Sequence, residues 1–416
     1  MGRGRLAKIL LGVGLLSASA SPAVASTAVA STAPYVVVLR DGVDAAAKAQ
    51  ADGAAPTHVY HAALDGYAAV LSDTVKARVE RDRDVLFVAP DQQFKAFDPV
   101  KKFGGFDVPT QFVPSALQLL GGLASPTARV DGVDQRVDMD IAVLDTGIDT
   151  GHPDLNVVGG VGCANGTSIE DGNGHGTHVA GRAAALDNGI GLVGVAPGAR
   201  LWSVRVLNDQ GVGSTSSVIC GVDWVTAHAD VIDVANMSLG SKGVDDGNCG
   251  RTKPDAFHQA ICRSVAAGVT YVVSAGNDAS DAAGFIPAAY DEVITVSAMA
   301  SNDGEPGSSG PYTDCLGRTT LDESFAYFSN YGPVVDLIAP GFCITSTWLD
   351  GKYATISGTS MAAPQVSGAA ALYKATHPTA TPAQVRSALV GAGTLDWLTS
   401  TDPDPFHEPL PNVAGF

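Results

Sequence analysis

The spacing of apolar residues changes character along the chain and marks out two folded regions. Residues 35–39 (YVVVL) are a β-branched run of the strand type, and the alanine-rich residues 43–51 read as a helix. Residues 66–71 (GYAAVL), 73–83 and 85–88 then give strand, helix and strand again before Pro90. Together, residues 33–92 predict a small α+β domain. Residues 93–112 carry Lys95, Lys101 and Lys102 among glycines and prolines with no clear periodicity, and they read as a linker.

From about residue 138 short apolar runs alternate with helical stretches: 141–144, 201–206, 231–237, 269–274 and 293–296. That alternation predicts an α/β domain over residues 113–416, a doubly wound, mostly parallel sheet covered by helices on both faces. In such sheets ligands and chemistry gather at the carboxyl ends of the strands.

The amino-terminal residues follow another pattern. Arg3, Arg5 and Lys8 precede an apolar run at 9–16 and small residues ending in Ala23-Val24-Ala25, which reads as a secretory signal over residues 1–25. The run is shorter than the roughly 20 apolar residues needed to cross a bilayer. The mature protein is therefore expected to be secreted and extracellular. The formal charge of −18 argues against nucleic-acid or membrane partners, because phosphate binding needs a concentrated positive surface. Export makes the 6 cysteines candidates for disulfides. Spacing alone does not choose a connectivity; sequential pairing is the expectation, with Cys249 to Cys262 and Cys315 to Cys343 closing loop-rich stretches. A free core thiol at Cys220 is the alternative.

Four short motifs carry candidate chemistry. The run at 141–144 leads into Asp145-Thr146-Gly147, a carboxylate at a strand end. Asp-Thr-Gly also suits an aspartic protease, which needs two such carboxylates, and the chain shows one. His175, in HGTHVAG, opens an alanine-rich helix where a neutral imidazole could take a proton while a carboxylate fixes its tautomer. His178 lies three residues on and could pair with it on a metal, but no HExxH pattern accompanies it, so it reads as a packed structural histidine. Ser360, in GTSMAAP, falls at a helix N-terminus, where a lone serine is more often a cap than a nucleophile. Asn277 ends the run VVSAGN, and its amide could hydrogen-bond an oxyanion or serve a turn.

Taken together, DTGID, HGTHVAG, SAGN and GTSMAAP, in the order Asp, His, Ser, resemble the signatures of the subtilisin-like serine proteases, the subtilases, over residues 112–390. The proteinase K-like branch is nearest in character. The resemblance implies an endopeptidase in which Ser360 attacks the scissile carbonyl, His175 shuttles the proton, Asp145 orients His175, and Asn277 with the Ser360 amide binds the oxyanion. It implies two substrate-pairing edges, Gly211 to Gly213 and Ser238-Leu239-Gly240, and a primary pocket walled by Ser274, Ala275 and Gly276 with Phe285 a candidate base. Small uncharged walls imply an apolar or aromatic residue before the cut.

The same resemblance makes residues 33–92 an inhibitory, chaperoning propeptide whose tail stays in the cleft until self-cleavage within the linker. It implies no cofactor for catalysis but a structural calcium, with Asp154, Asp187 and Asn188 as ligands and Asp336 at a second, weaker site. The N-terminal ligand of the first site is not assigned. The partners implied are protein or peptide substrates and the chain's own propeptide, with the enzyme a monomer. Residues 402–416 match nothing in the family pattern.

Overall fold

The computed structural model describes residues 1, 31–97, 102–164, 166–307 and 309–416. The expected signal thus lies, Met1 apart, outside the described residues. No helix among the described residues is long and apolar enough to cross a membrane.

Thr32–Leu39, Pro56–Tyr60, Gly66–Ser72 and Val85–Pro90 form a 4-stranded antiparallel sheet with Thr32–Leu39 in its interior. Helices Ala45–Ala51 and Asp73–Val79 start on the side-chain caps Asp44 and Ser72, each accepting a backbone N–H of the first turn. The unbroken run YVVVL follows from burial on both sides. Val37 and Leu39 pack with Ala45, Ala49 and Val79 of the two helices. Val36 and Val38 point the other way and join Val218, Val222 and Phe257 of the larger domain. The small sheet is therefore sandwiched, and only half of its apolar surface belongs to its own core.

The larger domain is built on 7 parallel strands in the order Leu337–Phe342, Ile294–Ala300, Thr270–Ser274, Val234–Met237, Asp140–Asp145, Arg200–Arg205, Val157–Gly162. Side chains alternate between two cores: Ile141 and Val143 enter one, Ala142 and Leu144 the other. The first and last strands of this order were not expected. Their sequences explain why, since VVGGVG is glycine-rich and LIAPGF contains Pro340 and Gly341, residues tolerated at sheet edges.

Helices Thr215–Ala227 and Ala256–Ala266 cover the face that receives the small sheet. Helices His175–Ala184 and Thr359–Thr376 cover the opposite face. These two approach closely because Gly368 has no side chain; a methyl there would meet Ala183 O at 2.9 Å and Val195 Cβ at 2.7 Å. Small residues thus bring the helices bearing His175 and Ser360 against each other.

The segment expected as a linker carries two strands. Gln93–Ala96 is a strand lying between Val212–Ser214 and Leu239–Lys242, antiparallel to both, and Lys102–Phe106 is a strand on Tyr353–Ile356. Periodicity gave no sign of either, because the edges they join supply their partners.

All three disulfides are sequential: Cys163–Cys220, Cys249–Cys262 and Cys315–Cys343. Cys220 is therefore not a free thiol. The unassigned tail closes the domain, with Leu410 and Val413 in the core and the Phe416 carbonyl accepting from Ser125 Oγ at 2.8 Å.

Candidate active site

Asp145 is the last residue of its strand and is wholly buried, and its Oδ1 accepts the Thr146 amide at 2.7 Å. His175 begins its helix after Gly174, which holds φ +102°, and His175 Nδ1 lies 2.8 Å from Asp145 Oδ1. A carboxylate only accepts, so Nδ1 carries the proton and Nε2 is left as the basic nitrogen. Asp171 fixes the approach to this helix: its two oxygens take the amides of Asn173, Gly174 and Thr177 and the hydroxyls of Thr146 and Thr177. Thr146 Oγ1 in turn accepts the Gly176 amide at 3.0 Å. Sequence reasoning passed over Asp171 and Thr146, although Thr146 stands inside DTGID and Asp171 four residues before HGTHVAG.

Ser360 is buried one residue into the Thr359–Thr376 helix. Asn277 Oδ1 accepts both the Thr359 amide and the Thr359 hydroxyl at 2.9 Å, which fixes the amide's orientation. Asn277 Nδ2 therefore points away, toward Gly358. A methyl placed on Gly358 would lie 3.1 Å from Asn277 Nδ2 and 3.7 Å from the Ser360 amide nitrogen. Two N–H donors flank one small space that only a glycine leaves open.

The strand Gln93–Ala96 lies extended between the two expected edges. Its register pairs Phe94 with Gly213, Lys95 with Val212 and Gly240, and Ala96 with Leu239, and the Ala96 amide donates to Gly211 O at 2.9 Å. The expected edges Gly211, Gly213, Leu239 and Gly240 thus meet on one peptide. Ser238 stands next to them and exchanges hydrogen bonds with Ser360. Of the expected wall, Gly276 faces the ring of Phe97, 3.4 Å from where a Cβ would stand, while Gly240 would meet the same ring at 2.5 Å. Ser274 and Ala275 are buried, and Ala275 O accepts from Asn330 Nδ2 at 2.8 Å. Phe285 pairs with Lys242 across two strands, with the Lys242 ammonium 3.7 Å from its ring centre.

His178 is structural: its Nε2 lies 3.1 Å from the carbonyls of both Ile344 and Ala354, and burial holds it neutral, with its pKa lowered to about 3.

The expected metal ligands divide. Asp154 is fully buried, and burial raises its pKa to about 7; its oxygens accept from Asn188 Nδ2, the Leu192 amide and the Tyr353 hydroxyl. These three partners are neutral donors, so they leave the buried carboxylate without a counter-charge of their own, which fits a hard cation. Asp187 is engaged by other groups. Its Oδ2 takes the amides of Asp131 and Gly132 at 2.8 Å, and its Oδ1 takes Gln111 Nε2. Gln111 was missed in the sequence, where it lies in the linker; its Oε1 receives the amides of Asn188 and Gly189 at 2.8 and 2.7 Å. Asp336, expected at the weaker calcium site, instead pairs with Arg386, whose Nε is 2.7 Å away. A guanidinium already fills the place of a cation there.

Comparison with known proteins identifies the family of both domains. Residues 138–401 match the family model of the Subtilase family, and residues 17–97 match that of peptidase inhibitor I9. Subtilisin DY of Bacillus licheniformis is 40% identical over 259 residues, 61% of this chain and 83% of that protein. An extracellular serine proteinase of Thermus sp. is 40% identical over 346 residues, 82% of this chain and 73% of that one. Among solved structures, a cold-adapted subtilisin-like serine proteinase superposes with a TM-score of 0.52 at 31% identity, covering 72% of this chain and 97% of its own. Fold and site define a serine endopeptidase preceded by an inhibitor-type propeptide. The chain belongs to the subtilase family.

Proposed function

We propose that the chain is a secreted zymogen that matures by cutting itself, then hydrolyses peptide bonds through an acyl-enzyme on Ser360. The observation that carries this reading is the Gln93–Ala96 strand, which occupies the substrate position between Val212–Ser214 and Leu239–Lys242. His175 Nε2 takes the Ser360 hydroxyl proton as Oγ attacks, and Asp145 keeps Nδ1–H aligned and stabilises the imidazolium. Negative charge on the carbonyl oxygen moves into the space over Gly358, between Asn277 Nδ2 and the Ser360 amide. His175 then protonates the leaving amine, and water releases the acyl group. The basic, apolar and small residues of positions 1–25 and the extracellular Thermus relative support secretion.

Substrate backbone pairs with Gly211, Gly213, Leu239 and Gly240 whatever its side chains, which supports broad specificity with an apolar or aromatic residue before the cut. Asp154, Asn188 and Gln111 are the side chains that would hold a structural calcium, whose charge would offset the buried Asp154 carboxylate. Expressing the precursor beside Ser360→Ala tests the reading. Wild type should lose the propeptide and the variant should keep it; a variant that still loses it without added protease contradicts self-processing.

A further inference from the structure

We propose that Asp245, Asp246 and His258 form a binding site for a divalent cation of the zinc class, separate from the catalytic centre and from the ligands proposed for calcium.

Asp245 and Asp246 lie in the loop after Leu239–Lys242, and His258 lies in the first turn of the helix Ala256–Ala266. His258 is 1% exposed, and its Nε2 stands 2.8 Å from Glu292 Oε2. A carboxylate only accepts, so Nε2 carries the proton and Nδ1 keeps a lone pair. That nitrogen is buried and has no hydrogen-bond partner among the described residues. It faces Asp245 Oδ1 at 3.4 Å and Asp246 Oδ1 at 3.7 Å. Three acceptors thus converge, and a cation between them relieves their repulsion. A proton on Nδ1 would draw a carboxylate in to about 2.7–2.9 Å. The two separations are longer, and they fit the spacing of about 3.4 Å between ligand atoms that a tetrahedral ion with bonds of about 2.1 Å imposes. One ligand atom from each of the three residues lies within 4.8 Å of the others.

Neutral groups hold this arrangement in place. Asp246 Oδ1 accepts the amides of Asn248 and Gly250, and its Oδ2 those of Thr252 and Lys253, all at 2.7–2.9 Å. Asp245 Oδ1 accepts the Gly247 amide at 2.8 Å. Among the described residues neither carboxylate pairs with a lysine or arginine, so their charge is left for the ion. The disulfide Cys249–Cys262 ties the loop to the helix one turn beyond His258. Tyr290 stacks on the His258 ring, centroids 3.9 Å apart, and Glu292 fixes the tautomer from behind, as a carboxylate does for a metal-bound histidine. Burial alone would lower the pKa of His258, but Glu292 and Asp245 outweigh it and raise it, so the surroundings favour positive charge at this ring. Asp245 is partly open to solvent, which supplies an entry route and a fourth ligand. The helices bearing His175 and Ser360 cover the opposite face of the sheet, so the ion clamps loop to helix and takes no part in peptide hydrolysis.

The test uses the Ser360→Ala precursor, stripped with a chelator, returned to calcium and titrated with zinc chloride near neutral pH. The expected result is one zinc per chain, bound at on the order of micromolar or tighter, with Tm raised by several degrees. Diffraction at the zinc edge should place the ion on His258 Nδ1. His258→Phe keeps a ring on Tyr290 and should abolish uptake. Glu292→Gln leaves all three ligands and should weaken binding by about 10- to 100-fold; Asp245→Asn, whose Oδ1 can still accept the Gly247 amide, should weaken it at least as much. Melting curves of the zinc-free variants report whether they fold. Uptake unchanged by Asp245→Asn, an ion located elsewhere, or no uptake at all overturns the site; in the last case the two carboxylates face an imidazolium.

Discussion

Ser238 and Ser360 hold each other: the Ser238 hydroxyl donates to the Ser360 carbonyl at 3.0 Å, and Ser360 Oγ reaches the Ser238 carbonyl at 3.3 Å. The first contact exists because Pro364 stands four residues beyond Ser360 and has no N–H for that carbonyl. An apparent defect in the helix thus locks the substrate-pairing strand to the nucleophile. Ser238→Ala, which leaves the Ser360 carbonyl without its donor, is expected to lower kcat/KM by about 3- to 10-fold, equivalent to about 1 kcal/mol. Steady-state kinetics on a peptide anilide measure it, and an unchanged kcat/KM contradicts the lock.

Asn277 offers a sharper distinction. Asn277→Asp keeps the oxygen that accepts from Thr359 and loses the donor aimed at Gly358. We expect kcat to fall by about 100- to 1000-fold with KM little changed, the loss of one oxyanion donor. A change confined to KM would show that the amide binds substrate rather than the developing charge.

Much of this site was legible in the sequence because its parts are local. Asp145, His175, Asn277 and Ser360 each stand at a strand end or helix start, marked by flanking glycines and an apolar run, and their order joined them. What escaped depends on long-range partners. Gln111 and Asn330 act on backbone groups more than fifty residues away, and Asp171 joins its own helix to Thr146 of another segment. The strand Gln93–Ala96 escaped for the same reason, since its hydrogen bonds belong to segments more than a hundred residues later. A carboxylate's chemistry is read from its type, whereas the partners of Asp187 and Asp336, backbone amides in one case and Arg386 in the other, are set by the fold.

The propeptide is held by a carboxylate as well as by its apolar face. Asp223, on the Thr215–Ala227 helix, accepts the amides of His61, Ala62 and Ala63 at 2.7–3.2 Å. Asp223→Ala leaves those amides unpaired, and after the cut the noncovalent complex should release its propeptide about 10- to 100-fold faster. The lag before activity appears measures this, and an unaltered lag contradicts it.

Glu408 gives a pH dependence. It is 3% exposed, and burial, aided by the charges of Asp402 and Asp404, raises its pKa from 4.5 to about 8. Near pH 4 both folded and unfolded chains hold the proton. As pH rises toward 8 the unfolded chain releases it first, so stability is lost over that window. Glu408→Gln in the Ser360→Ala background should match its parent in Tm near pH 4 and exceed it by several degrees above pH 8. Equal melting curves at pH 9 would contradict the assignment.

The central claim is that Asp145, His175 and Ser360 act as one catalytic unit. Its most direct measurement is the rate at which a fluorophosphonate labels mature enzyme, with the modified residue mapped by mass spectrometry, in wild type and in Asp145→Asn. The account predicts a single adduct on Ser360 that abolishes peptidase activity, and labelling slowed by about 10⁴-fold in the variant because His175 loses its oriented tautomer. An adduct on another residue, or equal labelling of the two proteins, would contradict it.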